Sequence, residues 1–185
     1  MKTSKDEILA VAAQLVEAQG IEHVTLAQVG AALDISHAAL YKHFANKQDL
    51  WTSLALKWLD KILVAIFPFN TANYQSRAQI AHDWLWALAD GKISAFHSDP
   101  QMFKLYTDYI DGNPQVLALH INDLTRSFAA ATGITDQVVI SGILQAFTYF
   151  STPAFASAWN EQTRDQFEAV WRLVAPGLTQ LFQQD

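Results

Sequence analysis

The chain has 185 residues and no cysteine, with 51% hydrophobic and 16% charged residues. That composition excludes intrinsic disorder, disulfides, thiolate metal sites and cysteine nucleophiles. The net charge of −6 divides into −1 over residues 1–62, where six lysines face seven acids, and −5 over residues 63–185, where six basic residues face eleven acids. Neither part is the strongly basic body of a nonspecific nucleic-acid binder, so any DNA binding has to rest on placed groups. The longest apolar run, residues 62–69, is broken by Pro68 and too short to span a bilayer. Residues 1–7 are rich in Lys, Asp and Glu, with no apolar signal core behind them. The expectation is a soluble, cytoplasmic protein without a membrane partner.

The punctuation along the chain is helical. Ser4 and Glu7 fit a capping box, and Ile8, Ala12, Leu15 and Val16 then fall on one stripe until Gly20 can end the helix with a positive φ. Thr25 and Gln28 form a second capping box, opening a short helix with Leu26, Val29 and Leu33 as its apolar face. Asp34 and Ile35 make a turn, and Ser36 caps a third short helix reaching about Phe44. Asn46, with Asp49 three residues on, starts a fourth helix through Trp51, Leu54, Ala55, Trp58, Leu59 and Ile62, with Pro68 as its stop. Further helices are expected over residues 74–97, from Asp99-Pro100 to Asp111, from Asn113-Pro114 to Gly133, and from Thr135 to about Thr152. A capping box at Thr163 and Gln166 opens the last helix, which Pro176 should kink or interrupt near Leu173. No alternating strand, repeat or low-complexity linker is present. The pattern gives an all-α fold of about nine helices, with a helix-turn-helix domain over residues 1–50 and a larger helical domain over residues 51–185.

Three short helical segments, the second and third joined by a tight turn, are the layout in which the later helix enters the major groove of DNA. On that third helix Leu40 and Phe44 share the buried face. Ala38, Ala39 and Lys42 point away from it, with Tyr41 and His43 on the flanks. Small residues allow close approach to a groove. Asn46 and Lys47 add free backbone N–H groups and an ammonium, a phosphate site.

Residues 25–29, then Leu33 through Phe44, then Asn46, Lys47 and Leu50, resemble the DNA-binding domain of the TetR family of bacterial transcriptional regulators, over roughly residues 5–55. The resemblance implies phosphate contacts from Thr25, Tyr41, His43 and Lys47, with Ser36 beside them, and base reading by His37, Ala38 and Lys42. Tyr41 has the plainer alternative of covering the core edge, and Thr25 is a helix cap in either case. Two departures stand out. Asp34 occupies the turn where the family usually carries Gly, and Arg is absent from residues 1–62.

The resemblance also implies that the larger domain binds a small ligand and forms a two-fold homodimer, the whole acting as a ligand-released repressor on a double-stranded DNA operator. The last helix places Phe167, Val170, Trp171, Val174, Leu178, Leu181 and Phe182 on one face. The helix before it carries Ile140, Ile143, Leu144, Phe147 and Phe150, with Gly142 and Ala146 permitting close approach. Those stripes either pair across a dimer as a four-helix interface or face only their own core. Trp84, Phe103, Tyr106, Phe147 and Phe150 are the candidate lining of an apolar cavity, with His120 or Asn122 as polar contacts, for an apolar or aromatic effector. No cofactor or metal is expected. His82, Asp83, His97, Asp108, Asp111 and His120 are scattered without metal-ligand spacing, and no G-x-S-x-G elbow is present, so the chain does not read as an enzyme. The competing reading, motivated by the low basic content, is a helical ligand-binding or protein-interaction module without specific DNA binding.

Overall fold

The computed structural model describes residues 3–183. In chain order the α-helices are α1 Lys5–Gln19, α2 Leu26–Ala32, α3 His37–Leu40, α4 Lys47–Ile62, α5 Arg77–Ser98, α6 Pro100–Tyr106, α7 Pro114–Thr132, α8 Gln137–Ala146 and α9 Thr163–Phe182. Among the described residues there is no β-strand, only an isolated bridge between Ile66 and Phe69. No single described helix is long and apolar enough to cross a membrane. The chain forms two compact units, residues 1–61 with 99–117 and residues 62–98 with 118–185.

In the first unit the cap chemistry sets the helix starts. The Ser4 hydroxyl accepts from Glu7 N at 3.1 Å while the Glu7 carboxylate accepts from Ser4 N at 2.7 Å, the reciprocal pair expected. Thr25 and Gln28 repeat it at 3.3 and 2.7 Å. Ile8, Leu9, Ala12 and Val16 of α1, Val29 of α2, Leu40 of α3, and Leu50, Trp51, Leu54 and Ala55 of α4 are buried. The boundary expected after residue 50 falls inside α4, whose apolar positions on both sides of it join this core.

Residues 99–117 join the first unit through Trp58. Its indole N–H donates to Asp99 Oδ2 at 3.0 Å, and the other oxygen of Asp99 caps α6 by accepting from Met102 N at 3.3 Å. The rings of Phe103 and Tyr106 lie 6.4 and 6.2 Å from that of Trp58. A π-helical turn, Thr107–Asp111, carries the chain on from α6.

The second unit is aromatic. The Trp84 indole donates to Ser127 Oγ at 3.1 Å and lies 5.0 Å from the ring of Phe128, while the Ser127 hydroxyl donates to the carbonyl of Ile66. Phe147, Phe150 and Phe167 pack together, with centroids 5.0 to 6.1 Å apart. His82 of α5 links to α9, with Nδ1 at 2.6 Å from Asp83 and Nε2 at 3.1 Å from Glu168. Tyr74 donates to Asp83 at 3.0 Å, and Arg164 pairs with Glu168 at 2.5 Å while stacking over Trp86 at 3.9 Å.

Three expectations for this unit change. Helix α8 ends at Ala146, not near Thr152, and continues as the 3-10 turns Thr148–Phe150 and Pro153–Ala158. Pro153 has no N–H for the carbonyl of Tyr149, which accepts instead from the Trp159 indole at 2.9 Å. The Thr163 hydroxyl does not open a capping box. It accepts from Asn160 N at 2.8 Å, and Gln162 takes the cap position without a side-chain bond. Pro176 does not interrupt α9. Arg172, the residue whose carbonyl loses its donor, and Pro176 itself are both exposed, so water can satisfy that carbonyl.

The turn between α2 and α3 is a Schellman closure. Asp34 N–H donates to Ala31 O at 3.2 Å and Ile35 N–H to Gly30 O at 3.0 Å, with Asp34 in the left-handed region at φ 52°. Asp is one of the few residues with a side chain that tolerate this conformation. Asp34→Val should therefore lower unfolding stability by about 1–2 kcal/mol, because a β-branched side chain clashes at positive φ, whereas Asp34→Gly should hold or slightly raise it. Urea midpoints at equal m-values test this, and equal midpoints for the two variants would contradict it.

Candidate nucleic-acid interface

Rotation of α3 about its axis is fixed by two apolar side chains. Leu40 is 2% exposed and Phe44 is 3% exposed, in the first unit's core. Gly30 lets α3 come close, since a Cβ there would meet Ile35 O at 3.1 Å and Leu40 Cδ1 at 3.3 Å. With that face inward, Ser36, His37, Ala38, Tyr41 and Lys42 are exposed, and His43 is half-buried. The α-helix itself is shorter than expected. Beyond Leu40 the chain continues as a turn, with His43 N donating to Leu40 O at 2.9 Å and Phe44 N to the same carbonyl at 3.2 Å.

Each candidate side chain has a defined state. The Ser36 oxygen accepts from Ala39 N at 3.2 Å, leaving its hydroxyl proton for a further acceptor. The Thr25 hydroxyl accepts from Gln28 N and donates to Gln28 Oε1 at 2.9 Å, so its capping role uses both capacities. The His37 ring stands edge-on to Tyr41, centroids 4.8 Å apart at 81°. That contact steadies the phenol, which is 46% exposed. Leu26, Leu40, Phe44, Asn46 and Leu50 border a shallow groove with Tyr41. At the next helix start, Asn46 Oδ1 accepts from Asp49 N at 2.9 Å and Asp49 accepts from Ala45 N at 2.8 Å. Lys47, the first residue of α4, stands exposed beside this cap. Oriented hydroxyls, rings and ammonium groups on a short exposed helix and its neighbour's start can contact phosphates and base edges.

The candidate effector residues fall into separate settings. Phe103 and Tyr106 are buried in the first unit against Trp58, and burial, with a smaller influence from Asp111, pushes the Tyr106 phenol well above its ordinary value. In the second unit Trp84 packs on Phe128, and Phe147 and Phe150 pack on Phe167. His120 is buried with its Nε2 at 3.5 Å from Lys92 Nζ. An ammonium only donates, so Nε2 accepts and the ring proton sits on Nδ1. Burial first, and the Lys92 charge second, push the His120 imidazole down to about 3. Asn122 is exposed.

The helical stripes on α8 and α9 face their own unit. Ile140, Ile143, Phe147, Phe150, Phe167 and Leu178 are buried, and Val170, Trp171, Val174, Leu181 and Phe182 are half-buried. The opposite faces are open. Val138 is 81% exposed and Leu173 82% exposed, alongside exposed Gly142, Ala146, Ala169, Pro176 and Gly177.

Two family models match the chain. One, described as bacterial regulatory proteins of the tetR family, covers residues 8–54, and the other, a tetracyclin repressor-like C-terminal domain, covers residues 79–171. The nucleoid occlusion factor SlmA of Enterobacter sp. (strain 638) is 25% identical over 194 residues, covering 96% of each chain. The HTH-type transcriptional regulator TcmR of Streptomyces glaucescens is 30% identical over 144 residues, 72% of this chain and 62% of TcmR. Among solved structures, BioQ of Mycobacterium smegmatis shares 25% identity and a TM-score of 0.56, covering 95% of this chain and 98% of BioQ. A BioQ structure holding its double-stranded DNA operator has a TM-score of 0.58 at 23% identity, covering 94% and 99% of the two chains, which bears on the fold alone.

The His120 environment sets a pH dependence. The folded chain keeps this imidazole neutral where the unfolded chain, with an ordinary histidine near 6.5, takes up a proton. Between about pH 6.5 and 3 the unfolded state binds the extra proton, so stability rises with pH in that window, by at most about 1.4 kcal/mol per unit from this group. Equilibrium unfolding across that range should show a shallower slope for His120→Gln than for the unsubstituted chain, and parallel slopes would refute the assignment.

Proposed function

We propose that this chain, which belongs to the TetR family of bacterial regulatory proteins, is a ligand-responsive repressor that grips a double-stranded DNA operator with α3 and the start of α4. The observation that carries the reading is the arrangement of His37, Ala38, Tyr41 and Lys42 on the solvent side of a helix whose other side is anchored by Leu40 and Phe44. His37, Ala38 and Lys42 enter the major groove and read bases. Ser36, Tyr41, His43 and Lys47 hold phosphates, and the helix start behind Thr25 offers its backbone N–H groups. The chain works in the cytoplasm and performs no catalysis. The likeness to TcmR, a transcriptional regulator, and to SlmA, a nucleoid occlusion factor, supports this reading.

Two copies place two reading helices about 34–36 Å apart, one turn of DNA. The open faces of α8 and α9, with Val138 at the start of α8 and Leu173 midway along α9, supply the self-complementary surface, and their small residues permit close helix approach. An apolar or aromatic effector enters the ring-rich second unit, where the Nδ1 proton of His120 offers a donor to an acceptor oxygen. Because it binds one arrangement of the dimer better than the other, it shifts the population away from the DNA-competent form. A coupling of about 1–3 kcal/mol gives release by roughly five- to 150-fold.

Fluorescence anisotropy on the DNA flanking the chain's own gene tests the core reading. Binding should weaken steeply as salt rises. Tyr41→Phe and Lys47→Ala should weaken binding on every sequence, by about 1–2 kcal/mol, whereas His37→Ala should change the preference among operator variants. A flat titration at low salt would leave the module without DNA binding as the better account. Sedimentation of Leu173→Glu should show monomers where the unsubstituted chain is dimeric, and an unchanged dimer would move the interface elsewhere.

A further inference from the structure

We propose that Lys5, outside the helix-turn-helix segment, is a further phosphate contact of the same interface. This rests on the DNA-binding reading above. Lys5 is the first residue of α1 and is exposed, and its ammonium sits 4.9 Å from the centroid of the Phe44 ring. Phe44 is buried and directly follows His43, at the end of the turn that closes α3. The ring therefore fixes a charge from α1 beside the residues through which α3 passes into α4. One side of the ammonium is against the ring, and its remaining N–H groups are free to meet phosphate oxygens.

Electrostatic placement separates Lys5 from an ordinary surface lysine. The first turn of a helix favours acids over cations, because the dipole there is positive. The two acids of that turn are already committed. Glu7 closes the capping box on Ser4, and Asp6 pairs with Lys57 at 2.5 Å, the interaction that holds the Asp6 carboxyl below its ordinary value. Lys5 makes only the weakest contribution to lowering Asp6. Lys104 is likewise paired, to Asp108 at 3.1 Å and Glu22 at 3.7 Å. Among the described residues Lys5, Lys42 and Lys47 form no such ion pair, so the unneutralised cations of this unit include the two assigned to DNA and Lys5. Lys61 serves as the reference, since it lies roughly 21 Å along α4 from Lys47 at 1.5 Å per residue.

The experiment measures anisotropy of a labelled duplex from the DNA flanking the chain's own gene, and of a scrambled duplex, from about 50 to 200 mM salt. It compares the unsubstituted protein with Lys5→Gln, Lys5→Met, Lys5→Arg and Lys61→Gln, each checked for an unchanged melting curve. The methionine keeps an apolar stem over Phe44 without the charge. Lys5→Gln and Lys5→Met should each reduce the log–log salt slope by about 0.9 for every protomer engaged, and weaken binding near 0.1 M salt by roughly eightfold per protomer on both duplexes. Lys5→Arg should keep the slope, and Lys61→Gln should match the unsubstituted protein. A Lys5→Met slope equal to the unsubstituted one, or an equal loss in Lys61→Gln, overturns the proposal while leaving the interface intact. A flat titration of the unsubstituted protein removes the DNA reading itself, and this contact with it.

Discussion

Helix α3 is four residues long, and an isolated helix of that length does not persist in water. Its direction and rotation are therefore set entirely by what holds it. Three devices act together. The Schellman bonds at Asp34 and Ile35 fix the angle at which the chain leaves α2, the Ser36 cap satisfies Ala39 N, and burial of Leu40 and Phe44 chooses the inward face. Removing any one leaves the others a helix with no register of its own. The exposed set at His37, Ala38, Tyr41 and Lys42 is the residue of that constraint rather than an independent feature.

The same dependence explains how charge works here. A body of net charge −6 repels DNA at long range, yet over about 10 Å of screened distance only nearby groups matter. Around α3 the acids differ in their pairing. Asp6 is paired with Lys57 and Asp49 accepts from Ala45 N, whereas Asp34, in the turn before α3, stands exposed. Placement and local pairing, not the total, decide the sign of the surface that α3 presents.

Much of this was legible in the sequence because helix caps are local. Ser4 with Glu7, Thr25 with Gln28, and Asn46 with Asp49 lie three residues apart, and each forms the bond its spacing implies. The helix-turn-helix residues are also consecutive, so the candidate interface could be named before any fold was known. What stayed hidden depends on distant partners. Asp99 caps α6 as its Asp-Pro pair announces, but nothing near it announces the Trp58 indole 41 residues away that draws residues 99–117 into the first unit. Thr163 carries the right letters for a capping box, and its hydroxyl nonetheless serves Asn160.

The aromatic residues show the limit most clearly. Rings at helical spacing announce burial, and burial alone does not distinguish a wall from a core. The polar handles make that distinction. The Trp84 indole is satisfied by Ser127, the Trp58 indole by Asp99 and the Trp159 indole by Tyr149, so these groups lock neighbouring elements together. Trp51, whose buried indole nitrogen has no hydrogen-bond partner, is a cost to the first unit's core, of order 1–3 kcal/mol for an unsatisfied donor. His120 differs from all of them. Its Nε2 is fixed as an acceptor by Lys92, which forces the proton onto Nδ1 whatever the pH above its depressed range. Of the second unit's indoles, Trp84 and Trp159 are tied to its own frame, whereas the Nδ1 proton of His120 is a donor whose direction Lys92 imposes.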